Sequence, residues 1–349
     1  MTGRARGTGA FRRGASAAAI ALLVSIAIGS ALMLVAGKSP GGVWAAMVTR
    51  TFGDPYQIGE WLYRATGLAL TGLSVAIALD AGLFNIGAEG QLTAGVVACA
   101  ATGAALPAGT PAVIAIPLCI LAAAAAGAAV GALIGALRVY RGAHEVITSI
   151  MLDLIAAGVA LWLGNVWLFE PGTTNSAPIA AGAELPRLPF AGSAANVSIV
   201  ITTAAVAAVW WLRARTTWGL AWRAVGSAPE AARAAGIAVG RVQLLAMTGA
   251  GALAGLAATN LVMGHKHVFE QGLGSGTGLL GISVALLGRV HPVGVVVAAL
   301  LLGFLSAGGL VVGDLIPKEL MEMLQGVVLL SVAATSAWLR RRDREAGRA

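Results

Sequence analysis

Long apolar runs separated by short polar breaks set the pattern of this chain. Ala15–Ala36, Trp61–Leu79, Leu92–Leu106, Ala112–Leu137, Val146–Phe169, Asn196–Leu212, Val242–Met263, Leu279–Leu287, Val293–Val312 and Leu320–Leu339 read as successive helices. About 20 apolar residues are needed to cross about 30 Å of hydrocarbon. Most of these runs approach or exceed that length, while Leu92–Leu106 and Leu279–Leu287 fall short. The pattern predicts an all-α, polytopic membrane protein with about ten transmembrane helices, in one transmembrane domain over residues 1–349. Ala15–Ala36 is long for the apolar region of a signal peptide, so a retained first helix is expected. Gly37–Glu60, Glu170–Ala195 with its four prolines, and glycine-rich Gly264–Gly278 read as outside loops.

Composition agrees. The chain is 58% hydrophobic and 11% charged, against about 25% charged in soluble domains. Its 48 glycines suit close helix packing in lipid. The net charge of +8 invites a nucleic-acid reading, but the arginines sit at helix ends. Four lie in residues 1–14, two in Arg138–Arg141, five in Arg213–Arg241, one at Arg289 and five beyond Leu339. With ten crossings, all of these face the cytoplasm, as do both termini, in line with the positive-inside rule. Cys99 and Cys119 both fall in apolar runs and suggest neither a disulfide framework nor a metal site.

Two polar stretches interrupt the apolar pattern. Arg213–Arg241 cannot cross a bilayer, because each arginine at its centre would cost about 2.5–3.5 kcal/mol. It still reads as helical. Pro229 suits the first turn, Ser227 is a candidate N-cap, Glu230 sits near the positive end of the dipole, and Gly236 is placed to end the helix. A short, small-surfaced helix of this kind suits docking into a groove on another protein. The second stretch, Asp80–Gln91, reads DAGLFNIGAEGQ. An acid at membrane depth is costly unless it pairs or meets water, which makes Glu89 a candidate functional residue. The same residues also suit a plain turn, with glycines for positive φ and Asn85 or Glu89 as caps.

Arg223-Ala-Val-Gly226, Pro229-Glu230-Ala231-Ala232-Arg233 and Ala235-Gly236-Ile237 together resemble the coupling loop of ABC importer permeases. GLFNIGAEGQ, HEVITSIMLDLIA at His144–Ala156, and the run from Gly272 to Gly303 look like the branched-chain amino acid, simple-sugar and nucleoside permeases of that class. NIGAEGQ with Glu-Val-Ile-Thr leans toward the nucleoside type. Ala143-His144 and Asp153 stand where asparagines are common in that type. The resemblance implies a type II importer fold with helices 2–5 and 7–10 as an inverted repeat. It implies cytoplasmic ATPase subunits that bind ATP and Mg²⁺, so that this chain carries no cofactor and no metal. It implies a second permease, either a copy or a paralogue, an extracytoplasmic solute-binding lipoprotein, and a place in the bacterial plasma membrane. Arg223, Gly226, Pro229, Glu230, Ala231, Ala232, Arg233, Ala235 and Gly236 would then couple to the ATPase, and Asn85, Glu89, Gln91 and Asp153 would line the solute path or gate.

Other signals fall away. Gly37-Lys38-Ser39 ends like a phosphate loop, but Leu32 stands where its first glycine belongs and no strand precedes it. His144-Glu145 begins like a zinc-protease motif, but Thr148 replaces the second histidine. His265 and His267 lack a third ligand nearby. No nucleophile–base pair stands out, so transport rather than catalysis is expected. The rival reading is a secondary transporter driven by an ion gradient. It needs paired buried acids, for which only Asp153 and Glu89 qualify.

Overall fold

A computed structural model describes residues 23–317 and, beyond them, 320–321, 323–327, 330–331 and 334. The basic N-terminal stretch, half of the expected tenth helix and the basic C-terminal tail lie outside the described residues. Among the described residues the chain is all-helical, with three isolated bridges and no strand.

The helices are α1 (Leu23–Val35), α2 (Pro40–Gly53), α3 (Pro55–Asp80), α4 (Ala88–Ala105), α5 (Ala112–Arg141) and α6 (Glu145–Leu163), then α7 (Ser198–Arg215), α8 (Thr217–Ser227), α9 (Pro229–Ala234), α10 (Val239–Leu256), α11 (Thr277–Leu287) and α12 (Pro292–Val311). Wide π-helical turns extend α6 over Gly164–Leu168 and follow α10 over Thr259–Lys266. Five of these helices, counting the π extensions, are long and apolar enough to cross a membrane, and a sixth span results if bent α1–α2 counts as one. The chain is therefore a multi-pass membrane protein.

The described residues form two compact units. The smaller draws on Met1–Gln57 and Phe304–Ala349. It corrects one expectation, because much of the Gly37–Glu60 loop is helix α2. Ser39 caps it, Pro40 stands in its first turn, and Val43, Met47 and Thr51 bury one face at four-residue spacing. The α1–α2 pair is bent by 116°. Ring stacking of Phe52 on Phe304 at 5.5 Å and the Arg50–Asp314 ion pair at 2.7 Å tie the unit's two chain segments together.

The larger unit, Ile58–Gly303, is organised around α3. Ala65–Ala78 of that helix is buried without a break. Beside it α5 and α10 cross through small residues at four-residue spacing. Ala123, Gly127 and Gly131 face Met247, Gly251 and Gly255 so closely that a Cβ on Gly127 or Gly251 would strike the opposite backbone. With no apolar driving force between helices in lipid, such close backbone approach is the main source of packing energy. α6 buries little and turns Ile147, Leu154, Ile155 and Trp162 outward. The segment expected as the largest outside loop is not loose. Its backbone bonds to the turns beyond α10, through Ser176 N–H to Phe269 O (2.8 Å), Ile179 to His267 (2.9 Å) and Leu185 to Met263 (2.8 Å).

Candidate functional site

The two short helices meet end to end. After Asp80 the chain does not simply turn. It doubles back along α3, with Leu83 N–H bonded to Ala78 O at 2.9 Å and Asn85 Nδ2 donating to Ser74 Oγ at 3.0 Å. Six residues of helix rise about 9 Å, so α4 starts well inside the length of α3. On the other side of the unit the chain returns from the π turns through Gly272, Gly274 and Gly276, all at positive φ, before α11 begins. Thr71 Oγ1 donates to Thr277 O at 3.0 Å, which sets the start of α11 beside the middle of α3. α4 and α11, 18 and 11 residues long, thus both begin inside the unit with their N-termini abutting, and in that sense they are half-helices. A Cβ on Gly278 would strike the backbone of Glu89.

Helix N-termini leave orphan N–H groups, and a buried end without partners is costly. Neither α4 nor α11 has a side-chain cap of its own. Two acids supply the caps from elsewhere. The Glu89 carboxylate accepts from the N–H groups of Gly276 (2.6 Å), Gly278 (2.8 Å) and Leu279 (3.3 Å). Asp153, on α6, accepts from Gly90 N–H at 2.8 Å. Both carboxylates meet the positive end of a helix dipole, worth about 0.3–2 kcal/mol each. Both are half-buried. An acid at this depth is therefore explained by the half-helix it caps.

Asn85 and Gln91 are fully buried and bond each other twice, at 2.9 and 3.1 Å. Each leaves little amide capacity for a solute. They clasp the returning segment against α3, while Glu89 and Asp153 keep partial access. A second buried amide site went unnoticed in the sequence. Asn260 accepts from Asn196 Nδ2 (3.1 Å) and Ser198 Oγ (2.8 Å) and donates to Tyr63 O (3.0 Å). Its signal was the placing of single amides at the edges of the apolar runs.

The Arg213–Arg241 stretch folds as two helices, α8 and α9. Ser227 does not cap α9. It closes α8, its Oγ donating to Ala224 O at 3.1 Å, and extended Ala228 stands in the capping position. Gly236 ends α9 as expected, at φ +82°, with Gly236 N–H on Arg233 O and Ile237 N–H on Ala232 O, both 3.0 Å. Ala232 is buried with Val225, Val239 and Val242 in a small core of the loop's own. Arg223, Pro229, Glu230, Ala231, Arg233 and Ala235 are exposed. The Glu230–Arg233 pair, at 2.9 Å, is open to solvent and worth at most about 1 kcal/mol. Gly226 lies against the end of α3: a Cβ there would strike Asp80 O, and one on Gly82 would sit 3.2 Å from Gly226 Cα. Arg213 pairs with Asp80 through Nε and Nη2. The two polar stretches, separate in sequence, are therefore in direct contact.

Sequence relatives define the class of this multi-pass bundle as a membrane permease. A family model described as the branched-chain amino acid transport system / permease component matches residues 57–333, and the chain belongs to that family. It is 36% identical over 324 residues to the guanosine ABC transporter permease protein NupP of Bacillus subtilis, covering 91% of this chain and 92% of that one. It is 32% identical to the nucleoside ABC transporter permease protein NupB of Lactococcus lactis, over 90% and 89%. It is 33% identical to the glucose ABC transporter permease protein TsgB13 of Haloferax volcanii, over 93% and 88%. No solved structure matches it.

Proposed function

We propose that this chain is one of two permease subunits of an ATP-driven importer for nucleosides. One observation carries the solute: its likeness to relatives named for guanosine and for nucleosides over about nine-tenths of its length. The glucose relative keeps simple sugars as the second candidate. Each of those three organisms also holds a second, less similar permease of the same named kind, which favours a paralogous partner over a second copy.

In this reading the chain is one permease domain of ten crossings in a bacterial plasma membrane, with both termini in the cytoplasm. The second to fifth and the seventh to tenth apolar runs form an inverted repeat, with α3 and α10 opening the two halves and α4 and α11 the second helix of each. Interrupted helices at matching places mark the solute path in other inverted-repeat transporters. The path then passes Glu89 and Asp153, while Asn85 and Gln91 brace its wall. ATP and Mg²⁺ bind the separate ATPase subunits, and a binding lipoprotein delivers solute from outside. Arg223, Gly226, Pro229, Glu230, Ala231, Arg233, Ala235 and Gly236 form the ATPase dock, with Ala232 holding the dock together from within. The rival ion-gradient transporter needs acids free to exchange a cation or proton, and Glu89 and Asp153 are instead committed to helix ends. Cells lacking this chain should lose uptake of labelled guanosine and keep that of glucose. Loss of glucose uptake alone would move the assignment to sugars.

A further inference from the structure

We infer that the junction of Asp80, Gly82, Arg213 and Gly226 is a relay, carrying movement of the Arg213–Arg241 loop into the half-helices. The inference rests on reading that loop as the ATPase dock. Three features support it. The first is direct backbone contact. Gly226 lies at the end of α8 and touches the Asp80 carbonyl and the Gly82 backbone with no side chain between them. Packed interfaces switch between discrete arrangements instead of deforming, so a shift of α8 here has no compressible layer to absorb it. The second is the ion pair. Arg213 lies in the last turn of α7, three residues before the Thr216 cap of α8, and grips the Asp80 carboxylate with two donors. A paired fork of this kind fixes direction as well as distance.

The third is the short link inward. Only residues 81–87 separate Asp80 from α4. They are bonded to α3 by Leu83 and Asn85, and they end beside Glu89, which holds the start of α11. A displacement at the junction therefore reaches the abutting starts of α4 and α11.

The test uses the complete complex purified through this chain and placed in lipid nanodiscs. Hydrogen exchange of peptides over residues 81–91 and 272–279 is compared with and without ATP plus vanadate. The unmutated complex should change its exchange in both peptides on trapping. Asp80→Asn and Gly82→Ala, neither of them in the dock, should keep the ATPase bound and hydrolysing, yet cut the trapping response at 81–91 by about tenfold, the usual scale of a site–site coupling. The charge swap Asp80→Arg with Arg213→Asp should restore it, which shows that the two side chains act through each other. A full response in both single variants would overturn the relay. So would loss of the ATPase from Asp80→Asn, because the junction would then belong to the dock. If the unmutated chain purifies with no ATPase, the docking reading fails first and the relay falls with it.

Discussion

Glu89 is where the chemistry of single residues is most exposed to test. Its carboxylate meets three N–H groups at the start of α11, which has no cap of its own. A glutamine keeps the shape and one acceptor oxygen but loses the charge that faces the dipole. An alanine leaves all three donors without their partner, and each unsatisfied buried group costs about 1–3 kcal/mol. Thermal unfolding should therefore rank the native chain above Glu89→Gln, and Glu89→Gln above Glu89→Ala. Cys99 and Cys119 are free and buried, so a maleimide dye that reacts as they become exposed reports the transition. Glu89→Ala melting with the native chain would sink the capping role. The sequence already marked Glu89 as costly and therefore purposeful. It did not show the purpose, because the partners lie 187 or more residues away and are backbone groups, which carry no side-chain signature. Ser227 went the other way: its local pattern fits a cap for Pro229, but the chain extends at Ala228 and hands Ser227 to the preceding helix.

At the scale of elements, hydropathy located most helices to within a few residues, since long apolar runs in lipid leave few alternatives. It missed α2, whose apolar residues are few and lie between Pro40 and Pro55. It also showed two runs too short to span, without showing that they meet. The crossing of α5 and α10 was legible only as a surplus of glycine. Its geometry yields a matched pair of substitutions in one helix. A Cβ on Gly251 would strike Gly127 O and sit 3.0 Å from Gly131 Cα, whereas one on Gly249 meets nothing within 4 Å. Alanine is the better helix former by about 1 kcal/mol. Gly249→Ala should thus leave the melting temperature unchanged or raise it slightly, while Gly251→Ala should lower it by forcing the helices apart. Equal behaviour of the two variants would mean that the close crossing does not hold the bundle.

For the whole molecule, the deciding question is which faces lie on the same side of the membrane, and α7 answers it. Between Thr174 and Ser227 the structure has one helix that could cross, α7, with 18 residues. That is about 27 Å of helix, close to the thickness of the hydrocarbon. It is not among the helices that pass on length and apolarity together. Trp210 and Trp211 near its end, followed by Arg213 and Arg215, fit an interfacial anchor facing the positive side. If α7 crosses, the exposed residues Thr174 and Ser227 lie on opposite sides, and α8–α9 face the ATPase. Single cysteines at those two positions, with Cys99 and Cys119 replaced by alanine, should react with an impermeant thiol reagent from opposite sides of sealed vesicles. Reaction from the same side would lay α7 along the surface. Arg213–Arg241 would then share a face with the Glu170–Ala195 segment, and it could not serve as a dock for a cytoplasmic ATPase while that segment met the binding protein outside.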